Sequence, residues 1–261
     1  MDALRAILGA PPVPEGSWER DAVYVSTAAL RRAGGPAREV AEGLAARLRA
    51  VPGVRTVEAR PNGFLVIEVA TPGEIVPEIL AEPPRPAPAP QGGRAAPWPD
   101  RPRTWSNPGF VVRYAYVRAG AVQRWARDLG IGVPLGFGAG LPEPPPGKPG
   151  EGLGAPGGGL GEPENGWGFR AGLLDGPRDR AVLRVLAELP SRRAGRDSGR
   201  PAYLERLAEA YHDAFEHAPA IPKGDETPTG THVARLCMAR AVRKVLGEGL
   251  AELGQTPPVK I

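Results

Sequence analysis

The chain has 261 residues, of which 36 are glycine and 33 proline; proline runs at roughly double its usual frequency, so long unstructured stretches are expected between smaller folded pieces. Apolar residues make up 41%, and no window approaches the ~18 uninterrupted apolar residues of a membrane-spanning helix, which excludes a transmembrane role of that kind. The net charge of +4 is unevenly placed, at −1 over residues 1–80, +2 over 81–169 and +3 over 170–261, and the cationic side chains are almost all arginine.

In chain order, residues 1–14 carry Asp2 and a short apolar run broken by Pro11 and Pro12, which does not read as a signal peptide and points to a cytoplasmic protein. Residues 17–71 read as a small α+β unit. A short helix over 26–32 is stopped by Gly34 and Gly35. A second helix starts behind Pro36, with Val40, Leu44, Leu48 and Val51 at helical spacing up to Pro52 and Gly53. Residues 54–59 and 64–70 read as strands, and Pro61, Asn62 and Gly63 between them mark a hairpin turn. Prolines 83, 84, 86, 88 and 90 favour extended chain over 82–104. Asn107 and Pro108 open a helix to about Leu129. Residues 130–170 hold fifteen glycines and eight prolines, the composition of a disordered insert.

The last ~80 residues are expected to be helical. Val182, Val185, Leu186 and Leu189 keep a three-to-four spacing up to Pro190, and Leu204, Leu207, Ala208, Tyr211 and Phe215 repeat it to about Pro219. Thr229 or Thr231 can cap a last helix whose apolar face runs from Met238 through Val242, Val245 and Leu246 to Leu253, before Gly254. With the Asn107 helix these three would form a four-helix bundle. The predicted fold class is therefore α+β: a small N-terminal domain with helices on a short antiparallel sheet (1–80), a Pro-rich linker (81–106), and an all-α helical bundle (107–261) interrupted by the 130–170 insert.

Most sites fail on spacing. His212 and His217 are five residues apart, about 140° round a helix, and His232 and Cys237 share that offset, so no zinc site is expected. The single cysteine also excludes an internal disulfide and a multi-cysteine metal centre. The run from Gly152 to Gly157 matches a dinucleotide fingerprint in letters only, since it lacks a preceding strand and contains Pro156. No nucleophile, base and acid can be grouped, so no catalytic residue and no cofactor is predicted. One segment is suggestive. Arg101, Arg103, Arg113, Arg118, Arg124 and Arg127 interleave with Trp105, Phe110, Tyr114, Tyr116 and Trp125, with no acidic residue between the ends. Arginine suits phosphates and aromatic faces stack on unpaired bases. Phe110, Tyr114, Val117 and Ala121 fit the core stripe of that helix, which leaves Arg113, Tyr116 and Trp125 as better contact candidates.

The order of these pieces resembles arginyl-tRNA synthetase. Asp21 to Tyr24, then Pro36-Ala37-Arg38-Glu39, then Gly63-Phe64-Leu65 look like its N-terminal additional domain. Asn107-Pro108 through Val112-Arg113-Tyr114-Ala115-Tyr116-Val117-Arg118 resembles the helix that opens its DALR-type anticodon-binding domain. Residues 181–258, with Leu186-Ala187-Glu188-Leu189-Pro190, the stretch from Tyr203 to Phe215, and Gly249-Leu250-Ala251-Glu252-Leu253-Gly254, are similar to the rest of that domain. About 150 of the 261 residues are covered, in the family's order.

The departures bear on activity. In the family a nucleotide-binding catalytic domain separates the two regions, whereas here residues 71–106 join them. The family's His-x-Gly-His signature cannot occur before the first histidine, His212, and its Lys-Met-Ser-Lys-Ser run is absent. The family's D-loop asparagine is replaced by Val66, and its Gln and His in the Asn-Pro helix by Arg113 and Tyr116. The resemblance thus implies a stand-alone, non-catalytic tRNA-binding protein that grips the anticodon stem-loop through its helical domain, with arginine tRNA as a possible ligand. The contact candidates are Arg113, Tyr116, Arg118, Trp125, Tyr203, Tyr211, His212, Arg235, Arg240 and Arg243. The alternatives are a protein-interaction scaffold engaging partners through the Pro-rich segments, and an accessory subunit delivering tRNA to another enzyme.

Overall fold

The computed structural model describes residues 1–32, 36–85, 98–99, 101–132, 168–195 and 200–261. Most of the expected polyproline linker, nearly all of the Gly/Pro insert with its fingerprint-like run, and the Gly34-Gly35 stop lie outside the described residues.

The first part is built on a four-stranded antiparallel sheet of order β1-β2-β4-β3, formed by β1 (Val13–Glu15), β2 (Ala22–Ser26), β3 (Val54–Ala59) and β4 (Leu65–Val69). The β3–β4 hairpin has the expected turn. Ala59 pairs with Leu65, Gly63 takes φ 81°, and Asn62 Oδ1 accepts from the Phe64 N–H at 3.1 Å. Alternate residues Ala22, Tyr24, Leu65 and Ile67 point to one buried face. That face is covered by α1 (Asp2–Leu8) through Leu4 and Leu8 and by α3 (Ala37–Arg49) through Ala41, Leu44, Ala45 and Leu48, with α2 (Ala28–Arg31) beside α3. Trp18 closes one end, donating Nε1–H to the Val23 carbonyl at 3.0 Å and meeting the Tyr24 ring edge-on at 5.1 Å.

The second part is helical: α5 (Pro108–Asp128), α6 (Pro177–Leu186), α7 (Leu189–Ala194), α8 (Arg200–His217) and α9 (Gly230–Glu252). Thr229 is the N-cap of α9 in a capping box with His232. α6 ends at Leu186, short of the expected stop at Pro190, and Pro190 itself sits in the first turn of α7, where a missing N–H costs nothing. α5 lies antiparallel along α9. Gln123 Nε2 donates to the Leu236 carbonyl at 2.9 Å, while Tyr116 lies against Gly247 near the other end. At the α8–α9 contact, Gly249 is required by close approach, because a Cβ there would stand 2.4 Å from Leu204 Cδ2.

Between the two parts sits α4 (Ile75–Ala81), which packs Val76, Ile79 and Leu80 toward α9. The buried Lys244 of α9 donates from Nζ to the Ile79 carbonyl at 2.7 Å and to the Glu82 carbonyl, capping the carbonyl end of α4 with a cation. Arg180 donates to the Arg20 carbonyl at 2.7 Å and Arg184 to the Gly16 carbonyl at 2.8 Å. Buried side chains from the sheet and from the helices belong to one contiguous cluster. The architecture is mixed α+β, as expected. No helix among the described residues is long and apolar enough to cross a membrane.

Candidate nucleic-acid interface

The α5 helix begins at a fully engaged asparagine. Asn107 Oδ1 accepts from the N–H groups of Gly109 at 3.0 Å and Phe110 at 3.4 Å, and its Nδ2 donates to the carbonyls of Pro99 at 3.0 Å and Pro102 at 2.8 Å. One side chain therefore starts the helix and ties down the chain that precedes it. Arg113, one turn further on, donates to the Pro99 carbonyl at 3.3 Å, the Trp98 carbonyl at 3.1 Å and Gln255 Oε1 at 2.8 Å.

These anchors set Trp105 over the start of α5. Its ring is 61% exposed, yet it meets His212 edge-on at 4.9 Å, Tyr114 at 6.0 Å and Phe110 at 6.2 Å. Phe110 and Tyr114 stack 5.4 Å apart with a 19° interplanar angle. Below them the Arg118 guanidinium lies between two rings, 4.4 Å from the centroids of Tyr114 and of Phe215 on α8. Such contacts are worth about 0.5–2 kcal/mol each, depending on solvent exclusion. Glu216 pairs with Arg118 at 2.7 Å. The result is a partly exposed platform of aromatic rings with one guanidinium built in.

His212 is the buried hinge of this cluster. An arginine can only donate, so the 3.4 Å contact from Arg118 Nη1 makes His212 Nδ1 an acceptor. The proton is then on Nε2, which donates to the Val111 carbonyl at 3.0 Å. Burial, aided by the Arg118 charge, holds the imidazole below its ordinary pKa and keeps it neutral.

The ten residues singled out from the sequence divide by location. Trp125 is 49% exposed on α5. Arg118 joins the platform, and Arg113 anchors the 98–99 segment. Tyr116 is half-buried, with the Arg243 guanidinium 5.1 Å from its ring centroid, and Arg240 is half-buried on α9. Four expectations of surface contact need correction. Tyr203 is 0% exposed, and Tyr211 is buried, its ring edge-on to Phe215 at 6.3 Å, so neither offers a face to a base. His212 is buried and engaged at both ring nitrogens. Arg235 is committed to the fully buried Asp179, with Nε to Oδ1 and Nη2 to Oδ2 both at 3.0 Å. Burial outweighs this pairing and pushes the Asp179 carboxyl up.

The expected core stripe of α5 is also displaced. Phe110, Tyr114 and Val117 are half-buried, and the core positions are Val111, Val112, Ala115, Ala119, Val122 and Ala126, joined by Ala121 at the margin. Trp105, Phe110, Tyr114 and Phe215, which the candidate set omitted, form the aromatic surface. Trp105, Phe110 and Tyr114 were signalled in the sequence as rings interleaved with arginines, but helical spacing assigned Phe110 and Tyr114 to the core stripe of α5 and Phe215 to that of α8.

No family model matches this chain, and no solved structure matches it significantly.

Proposed function

We propose that this chain is a non-catalytic RNA-binding protein related to arginyl-tRNA synthetase, taking tRNA as its ligand and meeting the anticodon stem-loop with a helical domain of anticodon-binding type. The observation that carries this reading is the ring platform of Trp105, Phe110, Tyr114 and Phe215 around Arg118. The segment from Arg101 to Arg127 contains no acidic residue, the one carboxylate paired with the platform's Arg118 being Glu216 of α8, and Arg101, Arg103 and Arg127 are exposed. Unpaired loop bases have π-faces that such rings can stack on, and the flanking guanidiniums suit the backbone. Ligase chemistry is not part of the proposal. Adenylation needs donors around a phosphorus transition state, and the ordered family motifs in this sequence flank that chemistry rather than supply it.

The test is a filter-binding titration of arginine tRNA and of an unrelated stem-loop at two salt concentrations. The expected result is preference for the tRNA, with affinity falling as salt rises. Trp105→Ala should weaken binding by about tenfold, since one stacked base contributes ~1–3 kcal/mol. Equal, salt-independent affinity for both RNAs would refute the proposal.

A further inference from the structure

Away from the ring platform, two arginines from two helices meet over a glycine. Gly120 lies inside α5, where glycine costs a helix more than alanine would. The atoms nearest the place its Cβ would take belong to guanidiniums: Arg243 Nε of α9 at 3.2 Å, Arg243 Cζ at 3.3 Å, and Arg124 Nη1, from the next turn of α5, at 3.5 Å. An alanine methyl there would press on both side chains. The hollow that Gly120 leaves thus brings the two guanidiniums close enough for one small anion to bridge them.

Neither charge is neutralised. Among the described residues, the side chains of Arg124 and Arg243 have no hydrogen bond and no ion pair. Asp128, one turn beyond Arg124, is exposed and pairs with neither, and Glu248 of α9 is taken by Arg193 at 2.7 Å. Of the Arg243 nitrogens only Nε, which faces Gly120, is buried without a partner, so its two Nη groups reach solvent. Arg124 is half-buried, with no nitrogen buried and unpartnered. Arg243 is also held in place, its guanidinium 5.1 Å from the Tyr116 ring centroid, while Tyr116 rests on Gly247. Like charges this close repel, and an anion accepting from both relieves the repulsion. Two planar forks set side by side, open to solvent and without a carboxylate, are the chemistry that recognises phosphate.

We propose that Arg124 and Arg243 form a phosphate-binding site on the seam of α5 and α9, both donating from their Nη groups to one phosphate above Gly120. Its phosphate comes either from an RNA backbone or from a free phosphate ion. The RNA source alone rests on the RNA-binding reading above. The site is separate from the ring platform, because Gly120 stands six residues past Tyr114 and so about 120° round α5. An RNA stacked on the rings would reach it by passing round that helix.

The test uses the full chain, Arg124→Gln, Arg243→Gln, the double variant, and Arg47→Gln as a control from the exposed surface of α3, all checked for folding by urea melts. Arg124→Gln breaks no bond within the described structure and is expected to fold, so it decides the matter if the Arg243 variants do not. Two probes are used: tRNA over a salt series, and inorganic phosphate by calorimetry at constant ionic strength. If RNA supplies the phosphate, the double variant lowers the slope of log affinity against log salt by about 0.7–0.9, Arg124→Gln lowers it in the same direction, and Arg47→Gln does not. If free phosphate is the ligand, its binding heat falls in Arg124→Gln and disappears in the double variant while the tRNA slope stays unchanged. Phosphate binding without any tRNA binding in the wild type would sink the RNA reading and leave this site standing. Wild-type tRNA binding whose slope survives in the folded variants, with no phosphate heat, overturns this site and leaves the RNA reading standing. A wild type that responds to neither probe overturns both.

Discussion

His212 concentrates the residue-scale chemistry. Its pKa is lowered in the fold by burial and by Arg118, with the Val111 carbonyl and Glu216 opposing. The unfolded chain therefore binds the proton more readily, at the ordinary value near 6.5. Its stabilising contribution is complete above about pH 6.5 and is lost as the pH falls below that value. His232 shifts in the same direction, and protonation would also cost its Nδ1 the Thr229 N–H it accepts. The melting temperature is expected to drop between pH 7.5 and 5.5, and His212→Gln should flatten that drop without abolishing it. An unchanged profile in His212→Gln would place the titration elsewhere. Sequence alone could not separate this histidine from a surface one, because His212 and the exposed His217 lie on one helix and differ only in which face the neighbouring helix covers. The same blindness applied to Tyr203 and Arg235. A buried arginine is legible only once Asp179, 56 residues away in the chain, is brought to it.

At the scale of elements, the long periodic segments, the β3–β4 hairpin and the short α2 were readable, whereas α1, β1, β2, α4 and α7 were not. The α3 helix, the β3–β4 hairpin, α5, α8 and α9 follow from apolar spacing and turn chemistry. The seven-residue α1 and α4 carry too little periodicity to announce themselves, and helices of that length persist through packing rather than propensity. α5 was found with its face turned by about one residue. The helix buries its small residues, Ala115, Ala119, Gly120 and Ala121 among them, because α9 lies close along it, and it leaves larger rings at the margin. Its start depends on Asn107. Asn107→Ala is expected to lose the cap and both bonds to the Pro99 and Pro102 carbonyls, costing about 2 kcal/mol in a urea melt. Asn107→Asp retains the capping acceptor but cannot donate to those carbonyls. It should recover part of the stability while still weakening whatever ligand Trp105 contacts.

For the whole molecule, the sheet layer and the helices meet through polar bonds that no local pattern could reveal. Lys244 is separated from its acceptor Ile79 by 165 residues, and Arg180 from Arg20 by 160. Burial pushes the Lys244 ammonium down, yet its bonds to two carbonyls of the α4 end keep it useful as a clasp. Lys244→Met keeps much of the stem and removes the donor. It should lower the urea midpoint, by about 1–3 kcal/mol of stability, because the buried Ile79 carbonyl and the part-buried Glu82 carbonyl lose their partner. A single transition seen by both tryptophan fluorescence and circular dichroism is expected before and after the change, since one core spans both layers.

The place of α9 in the chain also governs the order of assembly. It packs against α4, α5 and α8, yet a ribosome delivers it after all of them. Until Gly230 and the residues beyond it emerge, α4 and α5 lack the helix against which each makes most of its contacts, and α5 has only α8 to rest on. Nascent chains halted before that point would present the apolar side chains of that missing contact to water, where chaperones or one another would find them.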